Sequence, residues 1–170
     1  GHVQRVERGN LMLDLERTEG LLPFSEMPHP HNYQRGDVLK CLILEVQEST
    51  KGPQVILSRT HPTLVARLFE MEVPEIYDGL VRLVAIERDP GDRAKVAVTT
   101  SDDDIDAVGT CVGVKGSRVQ TVVRELDGEK IDLLEWSGDP KVFIANALQP
   151  AAVLRVAHDD AEHAEVVVPD

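Results

Sequence analysis

The most chemically suggestive stretch of the chain has two glycines three residues apart, flanked by a lysine and an arginine at the start of a helical pattern. It reads CVGVKGSRVQTVVREL over residues 111–126. At Gly113 and Gly116 the missing Cβ lets a ligand approach the main chain, and the first N–H groups of a helix favour an anion. Lys115 and Arg118 add positive charge. The stretch predicts a phosphate-binding loop.

Two other phosphate motifs do not fit this loop. A P-loop requires G-x-x-x-x-G-K-[ST], whereas here the lysine precedes the glycine in Lys115-Gly116-Ser117. A dinucleotide fingerprint requires three glycines directly after a strand, and Cys111 stands where the first would be. A lone G-x-x-G occurs by chance about once in a chain of this length. A tight turn between two helices is the alternative explanation that needs no ligand, so the neighbouring elements must decide.

Two further clusters suggest metal binding, and each has a simpler explanation. The acidic run SDDDID at residues 101–106 suits the N-cap and first turn of a helix, where each carboxylate contributes about 0.3–1 kcal/mol. His29 and His31 have no matching Cys or His pair to complete a zinc site. The chain also has no G-x-S-x-G or H-E-x-x-H. We therefore expect no metal, no cofactor and no catalytic residue.

The composition bounds the class of protein. With 42% apolar residues in 170, the chain predicts a folded protein, and it has no apolar run long enough to cross a membrane. Cys41 and Cys111 form neither a disulfide framework nor a metal knuckle, so we expect buried thiols and a cytoplasmic location. The net charge of −12 argues against nucleic-acid binding driven by a broad basic surface. A local, backbone-mediated site remains compatible with it.

The first sixty residues predict a small antiparallel barrel. Short apolar runs are separated by Gly, Pro and Asn, and Leu11, Leu13 and Leu15 alternate with more polar positions. This two-residue period is typical of a strand with one buried face. The turn signals lie too close together in the sequence for helices to connect the strands.

The next ninety residues predict helices packed on a sheet. A helix is expected from a cap at Thr60 or Thr63, with Leu64, Leu68 and Met71 on its apolar face. A hairpin follows over 78–101, then a short helix, the glycine loop and a helix from about Ser117. The apolar positions of that last helix, spaced at i, i+3, i+4 and i+7, are Val119, Val122, Val123 and Leu126. A strand over 129–137 and a helix from Asp139-Pro140 to Pro150 complete the segment.

These features resemble a known family. The order helix, hairpin, short helix, G-x-x-G, helix, strand, helix resembles the bacterial, type II KH fold, whose loop clamps about four nucleotides of single-stranded backbone. The first sixty residues resemble an S-one domain, an RNA-binding OB-fold barrel. Phrases such as LFEMEVPEIYDGLV, ERDPGDRAKVAV and DAVGTCVGVKGSRVQTVVRELDGEKIDLLEW closely resemble the NusA family of bacterial transcription factors. The similarity covers essentially the whole chain.

The resemblance implies an α+β, multidomain fold: an OB-fold barrel over 1–60, with its first strand expected to be truncated, and a first KH domain over 61–150. Residues 151–170 would form the opening hairpin of a second KH domain. The implied partners are single-stranded nascent RNA, RNA polymerase and other elongation factors, and the chain is expected to be a monomer. The expected RNA-binding residues are Gly113, Val114, Lys115, Gly116, Ser117 and Arg118.

The barrel departs from the S-one pattern. Arg8 and Pro23 stand where such barrels place an aromatic residue and a histidine. Each stacked base is worth about 1–3 kcal/mol, so we expect weak RNA binding by the barrel. Phe24 and Tyr33 would serve either as replacement stacking residues or as packing. Two other functions stay open from the residues alone: an RNA-decay accessory subunit and an acidic protein-interaction scaffold.

Overall fold

The computed structural model describes residues 1–48, 54–158 and 163–169, which form a mixed α+β structure with three sheets. The predicted α+β class is therefore confirmed. No helix within these ranges is long and apolar enough to span a membrane.

The first sheet has five strands in the order β1-β2-β3-β5-β4. They are β1 (His2–Glu7), β2 (Asn10–Asp14), β3 (Glu19–Leu22), β4 (Leu42–Gln47) and β5 (Gln54–Ser58). The alternation predicted in β2 is present, since Leu11 and Leu13 are buried in the core of this sheet. The apolar run that contains β3 continues past the strand, which ends at Leu22. Pro23 precedes a 3₁₀ turn at Phe24–Glu26.

The two edges of this sheet approach each other at one end. The segment just before β4 bonds to the start of β1: Val3 N–H donates to the Asp37 carbonyl at 2.9 Å, and Leu39 N–H donates to the Gly1 carbonyl at 2.9 Å. A bridge between His2 and Val38 continues this pairing. The sheet thus curls toward a barrel.

The second sheet has three strands in the order β6-β7-β8. They are β6 (Val81–Asp89), β7 (Arg93–Thr100) and β8 (Lys130–Glu135). β6 and β7 form the predicted antiparallel hairpin, and β8 adds in parallel to β7. Among the described strands β8 pairs with β7 alone, so its other edge is available to line a groove.

Five α-helices lie within the described residues. They are α1 (Pro62–Glu72), α2 (Pro74–Tyr77), α3 (Ala107–Val112), α4 (Ser117–Glu125) and α5 (Pro140–Ala147). Buried residues of α1, α3 and α4 share one core with the second sheet. In α4, Val119, Val122 and the adjacent Leu126 are buried as predicted.

Helix α1 differs from its prediction in two details. Its N-cap is His61, whose Nδ1 accepts from Thr63 N–H at 3.1 Å, rather than either threonine. Pro62 occupies the first turn, which assigns the cap to the residue before it. Met71 was predicted on the apolar face, and it is 65% exposed.

The end of the chain forms the predicted hairpin. β9 (Arg155–His158) and β10 (Ala164–Val167) pair antiparallel as a separate two-stranded sheet. Leu154 N–H donates to the Val167 carbonyl at 2.8 Å, which extends the pairing by one position.

A buried arginine joins the first sheet to the end of α4, which packs on the second sheet. The Arg59 guanidinium is 1% exposed and donates to Tyr33 Oη at 2.8 Å, the Lys40 carbonyl at 2.7 Å and the Glu125 carbonyl at 2.7 Å. It also lies 3.0 Å from Asp127 Oδ2, which accepts from the Tyr33 hydroxyl. Burial raises the pKa of Tyr33 to about 12, so the hydroxyl stays protonated as a donor.

Candidate nucleic-acid interface

The glycine loop forms a sharp corner between α3 and α4. Helix α3 ends at Gly113, which has φ 76° and ψ 171°, and Val114–Gly116 makes a single 3₁₀ turn. Lys115 has φ 52°, and Gly116, at φ 78° and ψ 14°, is the N-cap of α4. Three residues with positive φ, Gly113, Lys115 and Gly116, therefore fit into one turn, and glycine occupies two of these three positions.

The tip of this corner faces outward. Val114 is 82% exposed, and Lys115 and Ser117 are exposed as well. Because Gly116 has no side chain, no side-chain hydrogen bond caps α4 in the described structure. Ser117 N–H donates to the Val114 carbonyl, whereas the N–H groups that follow it have no side-chain cap and can face an anion, whose charge the helix dipole favours.

The two glycines serve different purposes, which the sequence did not distinguish. A Cβ on Gly113 would lie 2.8 Å from Arg118 Cγ and 3.0 Å from Arg118 N. At Gly113, therefore, the protein's own Arg118, and not a ligand, approaches the main chain closely. At Gly116 a Cβ would meet nothing closer than Gln120 Cγ at 3.8 Å, so only its backbone conformation restricts the residue.

Arg118, one of the expected RNA-binding residues, is bonded within the protein. Its Nη1 donates to Glu75 Oε2 at 3.0 Å and to the Thr110 carbonyl at 2.8 Å, and its side chain is 29% exposed. Lys115 differs, since no ion pair involves it among the described residues. The loop thus offers one exposed lysine and one arginine that already has a carboxylate partner.

The carboxylate that holds Arg118 lies at the start of α2. A hydrogen bond from its own backbone N–H and then the contact with Arg118 lower the pKa of Glu75, although partial burial acts in the opposite direction. Because its folded pKa is below the ordinary value, its stabilising effect is present at neutral pH. That effect is lost as the pH falls through the lowered pKa.

A largely apolar groove adjoins the loop and includes the free edge of β8. It runs from the α3 and α4 side, across the strand edge, to the segment that follows α5. Its lining residues are Val112, Val119, Ile131, Asp132, Leu133, Gln149 and Pro150. Val119 belongs both to this groove and to the core. The sequence placed Val119 on the apolar face of α4 but did not indicate the groove, because its residues come together only through the parallel pairing of β8.

Two basic residues of β7 share the carboxylate of Asp132, which lines the groove. Arg93 Nη1 lies 3.2 Å from Asp132 Oδ2, and Lys95 Nζ lies 4.0 Å from the same oxygen. Lys95 also donates to the carbonyl of Ala147, at the end of α5. Lys95 thus ties the sheet to the end of α5, whereas Lys115 is exposed and has no ion pair within the described residues.

The acidic run caps a helix, as predicted. Asp106 is the N-cap of α3, and its Oδ1 accepts from Gly109 N–H at 2.9 Å. The further carboxylates expected in the first turn are not there, since Asp102–Asp104 precede the helix and Asp104 N–H bonds to Asp102 Oδ1 at 3.0 Å. Within the described ranges, no three potential metal ligands come together.

The aromatic residues of the barrel form a row. The ring centroids of Phe24 and His29 are 4.4 Å apart, those of His29 and His31 are 5.2 Å apart, and those of His31 and Tyr33 are 4.9 Å apart. Phe24 is 55% exposed at one end, whereas Tyr33 is bonded to Arg59 and Asp127 at the other. Tyr33 therefore packs, and Phe24 keeps a free ring face.

The second sheet and its helices, with a G-x-x-G corner between two helices and a groove at a parallel edge strand, have the arrangement of a KH-type domain, a class that clamps single-stranded nucleic acid. Residues 59–136 match the family model described as the NusA-like first KH domain. Over the whole chain, the sequence is 51% identical to the transcription termination/antitermination protein NusA of Bacillus subtilis and 49% identical to that of Halalkalibacterium halodurans. The chain belongs to the NusA family.

A more distant relative agrees. The NusA protein of Thermus thermophilus is 45% identical over 99% of the chain. The chain covers 46%, 45% and 44% of the Bacillus, Halalkalibacterium and Thermus proteins. It thus spans somewhat less than half the length of these relatives.

Proposed function

We propose that the chain is the single-stranded RNA-binding segment of a bacterial transcription elongation factor that modulates pausing, termination and antitermination. The relatives are named transcription termination/antitermination proteins, which favours this function over the RNA-decay alternative. The observation that carries the proposal is the exposed Val114-Lys115 tip beside an apolar groove.

The proposed contact divides the RNA between loop and groove. Backbone N–H groups at the start of α4 and the Lys115 ammonium bind phosphate, with Gly113, Val114, Gly116 and Ser117 forming the surface that the sugar-phosphate chain crosses. Bases enter the groove and contact its aliphatic side chains and the free edge of β8. Arg118 supports this surface from behind.

The acidity of the chain then restricts binding to this place. A net charge of −12 repels phosphate over most of the surface, so a ligand is held only where short-range contacts compensate. We expect a shallow salt dependence, since few phosphates are neutralised.

The wider assignments follow from the relatives and are proposed with the function. The chain comprises a barrel over 1–60, a first KH domain over 61–150 and the opening hairpin of a second KH domain over 151–170. It acts without enzymatic activity, as a cytoplasmic monomer, in contact with RNA polymerase and other elongation factors.

A binding titration tests this function. The chain is titrated against short unstructured RNAs of several sequences and against duplexes of the same length, at two or more salt concentrations. We expect micromolar binding to the single strands and weaker binding to the duplexes. Binding to RNA polymerase with no binding to any RNA would favour the protein-interaction scaffold instead.

A further inference from the structure

We propose that Glu75 is a positioning residue for the glycine loop: it holds Arg118 as a brace beneath Gly113 and so keeps the RNA-contacting tip in shape. The role rests on the proposed RNA-binding function, because the tip that Glu75 supports is the proposed phosphate contact. Glu75 itself lies on α2, outside the loop, and does not contact RNA.

The brace connects three elements. Nη1 of Arg118 donates both to Glu75 Oε2 at 3.0 Å and to the Thr110 carbonyl at 2.8 Å, and Nη2 lies 3.5 Å from Glu75 Oε1. One guanidinium on α4 thereby ties the start of α2 to the last turn of α3. The two helices that flank the loop are fixed at the same point.

The stem of Arg118 fills the inside of the corner. A Cβ on Gly113 would lie only 2.8 Å from Arg118 Cγ, so the arginine's methylene groups pack directly against the loop backbone. If the guanidinium moved outward to a phosphate, this packing and both bonds of Nη1 would be lost. The arrangement favours a structural use of Arg118 and a phosphate contact by Lys115.

The carboxylate is itself held for this task. Glu75 follows Pro74 at the first turn of α2 and accepts a hydrogen bond from its own backbone N–H. Its side chain is 33% exposed, so an amide at this position is compatible with folding. The brace can therefore be weakened without creating a buried unpaired charge.

The test compares Glu75→Gln with Glu72→Gln, which removes the same charge three residues earlier. Amide hydrogen exchange of Gly113 and Gly116 is measured first, without RNA. We expect faster exchange in Glu75→Gln and unchanged exchange in Glu72→Gln. Equal exchange in the two variants would overturn the proposal, and this readout does not depend on whether the chain binds RNA.

RNA binding gives the second readout. Glu75→Gln is expected to weaken binding about two- to fivefold relative to Glu72→Gln, the scale of a partly exposed ion pair, with an unchanged salt slope. Arg118→Lys, which keeps the charge but loses the fork, is expected to weaken binding similarly. Tighter binding by Glu75→Gln with a salt slope steeper by about 0.7 would instead make Arg118 a masked phosphate ligand.

These outcomes separate the two proposals. If the parent chain does not bind single-stranded RNA, the proposed function fails, while the exchange comparison still decides the role of Glu75. If Glu75→Gln does not fold, Arg118→Lys decides by the same two measurements. Binding by Arg118→Lys at the parent level with unchanged exchange would overturn the brace.

Discussion

At the scale of single residues, the two glycines of the loop are not equivalent. Gly113 combines a positive φ with ψ 171°, a backbone region open almost only to glycine. Gly116 has left-handed helical angles, which asparagine also adopts. The motif needs two glycines for two different reasons, and only the structure separates them.

Substitutions at these positions should therefore differ in cost. We predict that Gly113→Ala lowers the free energy of unfolding by about 2–3 kcal/mol, because backbone strain adds to overlap with Arg118. Gly116→Asn should cost less than about 1 kcal/mol. Urea unfolding of both variants measures the difference. Equal costs would show that the corner at Gly113 is not strained in this way.

At the scale of elements, periodicity predicted much of the fold. Helix α4 and the β6-β7 hairpin were predicted because three- and four-residue spacing and β-branched runs are local signals. Long-range pairing was not predictable: Glu75 and Arg118 are 43 residues apart, and nothing near either indicates the other. The position of the loop was therefore predictable from the sequence, whereas the brace behind it and the groove beside it were not.

A buried ion pair fixes β8 against the hairpin. Arg88 Nε and Glu129 Oε1 are 2.7 Å apart and both side chains are fully buried, while Gly91 N–H also donates to Glu129. Since Glu129→Gln leaves the Arg88 charge unpaired, we predict a loss of about 3–5 kcal/mol in the free energy of unfolding. The exposed pair of Arg67 and Glu70 offers the control.

Urea unfolding of Glu129→Gln and Glu70→Gln provides that comparison. The exposed variant should change the free energy of unfolding by less than about 1 kcal/mol. Similar small changes in both variants would mean that the buried pair is dispensable for the position of β8.

At the scale of the whole molecule, Arg59 couples the barrel to the KH layer. Its donors reach Tyr33 and Lys40 on one side and Glu125 and Asp127 on the other. The sequence predicted both units but no link, since a single arginine in LSRTHP carries no sign of its distant partners. Through this link the barrel and the loop-bearing layer should move together.

Breaking that link should uncouple the two units. We predict that Arg59→Met lowers stability by about 2–3 kcal/mol, because charged hydrogen bonds to two carbonyls are lost. Trp136, the single tryptophan, reports on the KH layer, while far-UV circular dichroism reports on the whole chain. In the variant the two unfolding curves should separate, whereas in the parent and in the exposed control Arg5→Met they should coincide.

RNA binding at the loop tip is tested by replacing Val114 and Lys115 together with aspartate. Val114 is 82% exposed, and aspartate tolerates the positive φ of Lys115, so the free energy of unfolding should change by less than about 0.5 kcal/mol. Two carboxylates on the phosphate path should weaken binding to single-stranded RNA about a hundredfold or more.

The exposed neighbours Lys141 and Val142 on α5 give a matched control with the same two substitutions and the same charge change. The measurement is the dissociation constant of each double variant for one short single-stranded RNA at fixed salt. We predict that Val114→Asp/Lys115→Asp loses RNA binding, while Lys141→Asp/Val142→Asp binds nearly as the parent does. Parent-level binding by the loop variant, or equal losses in both, would contradict it.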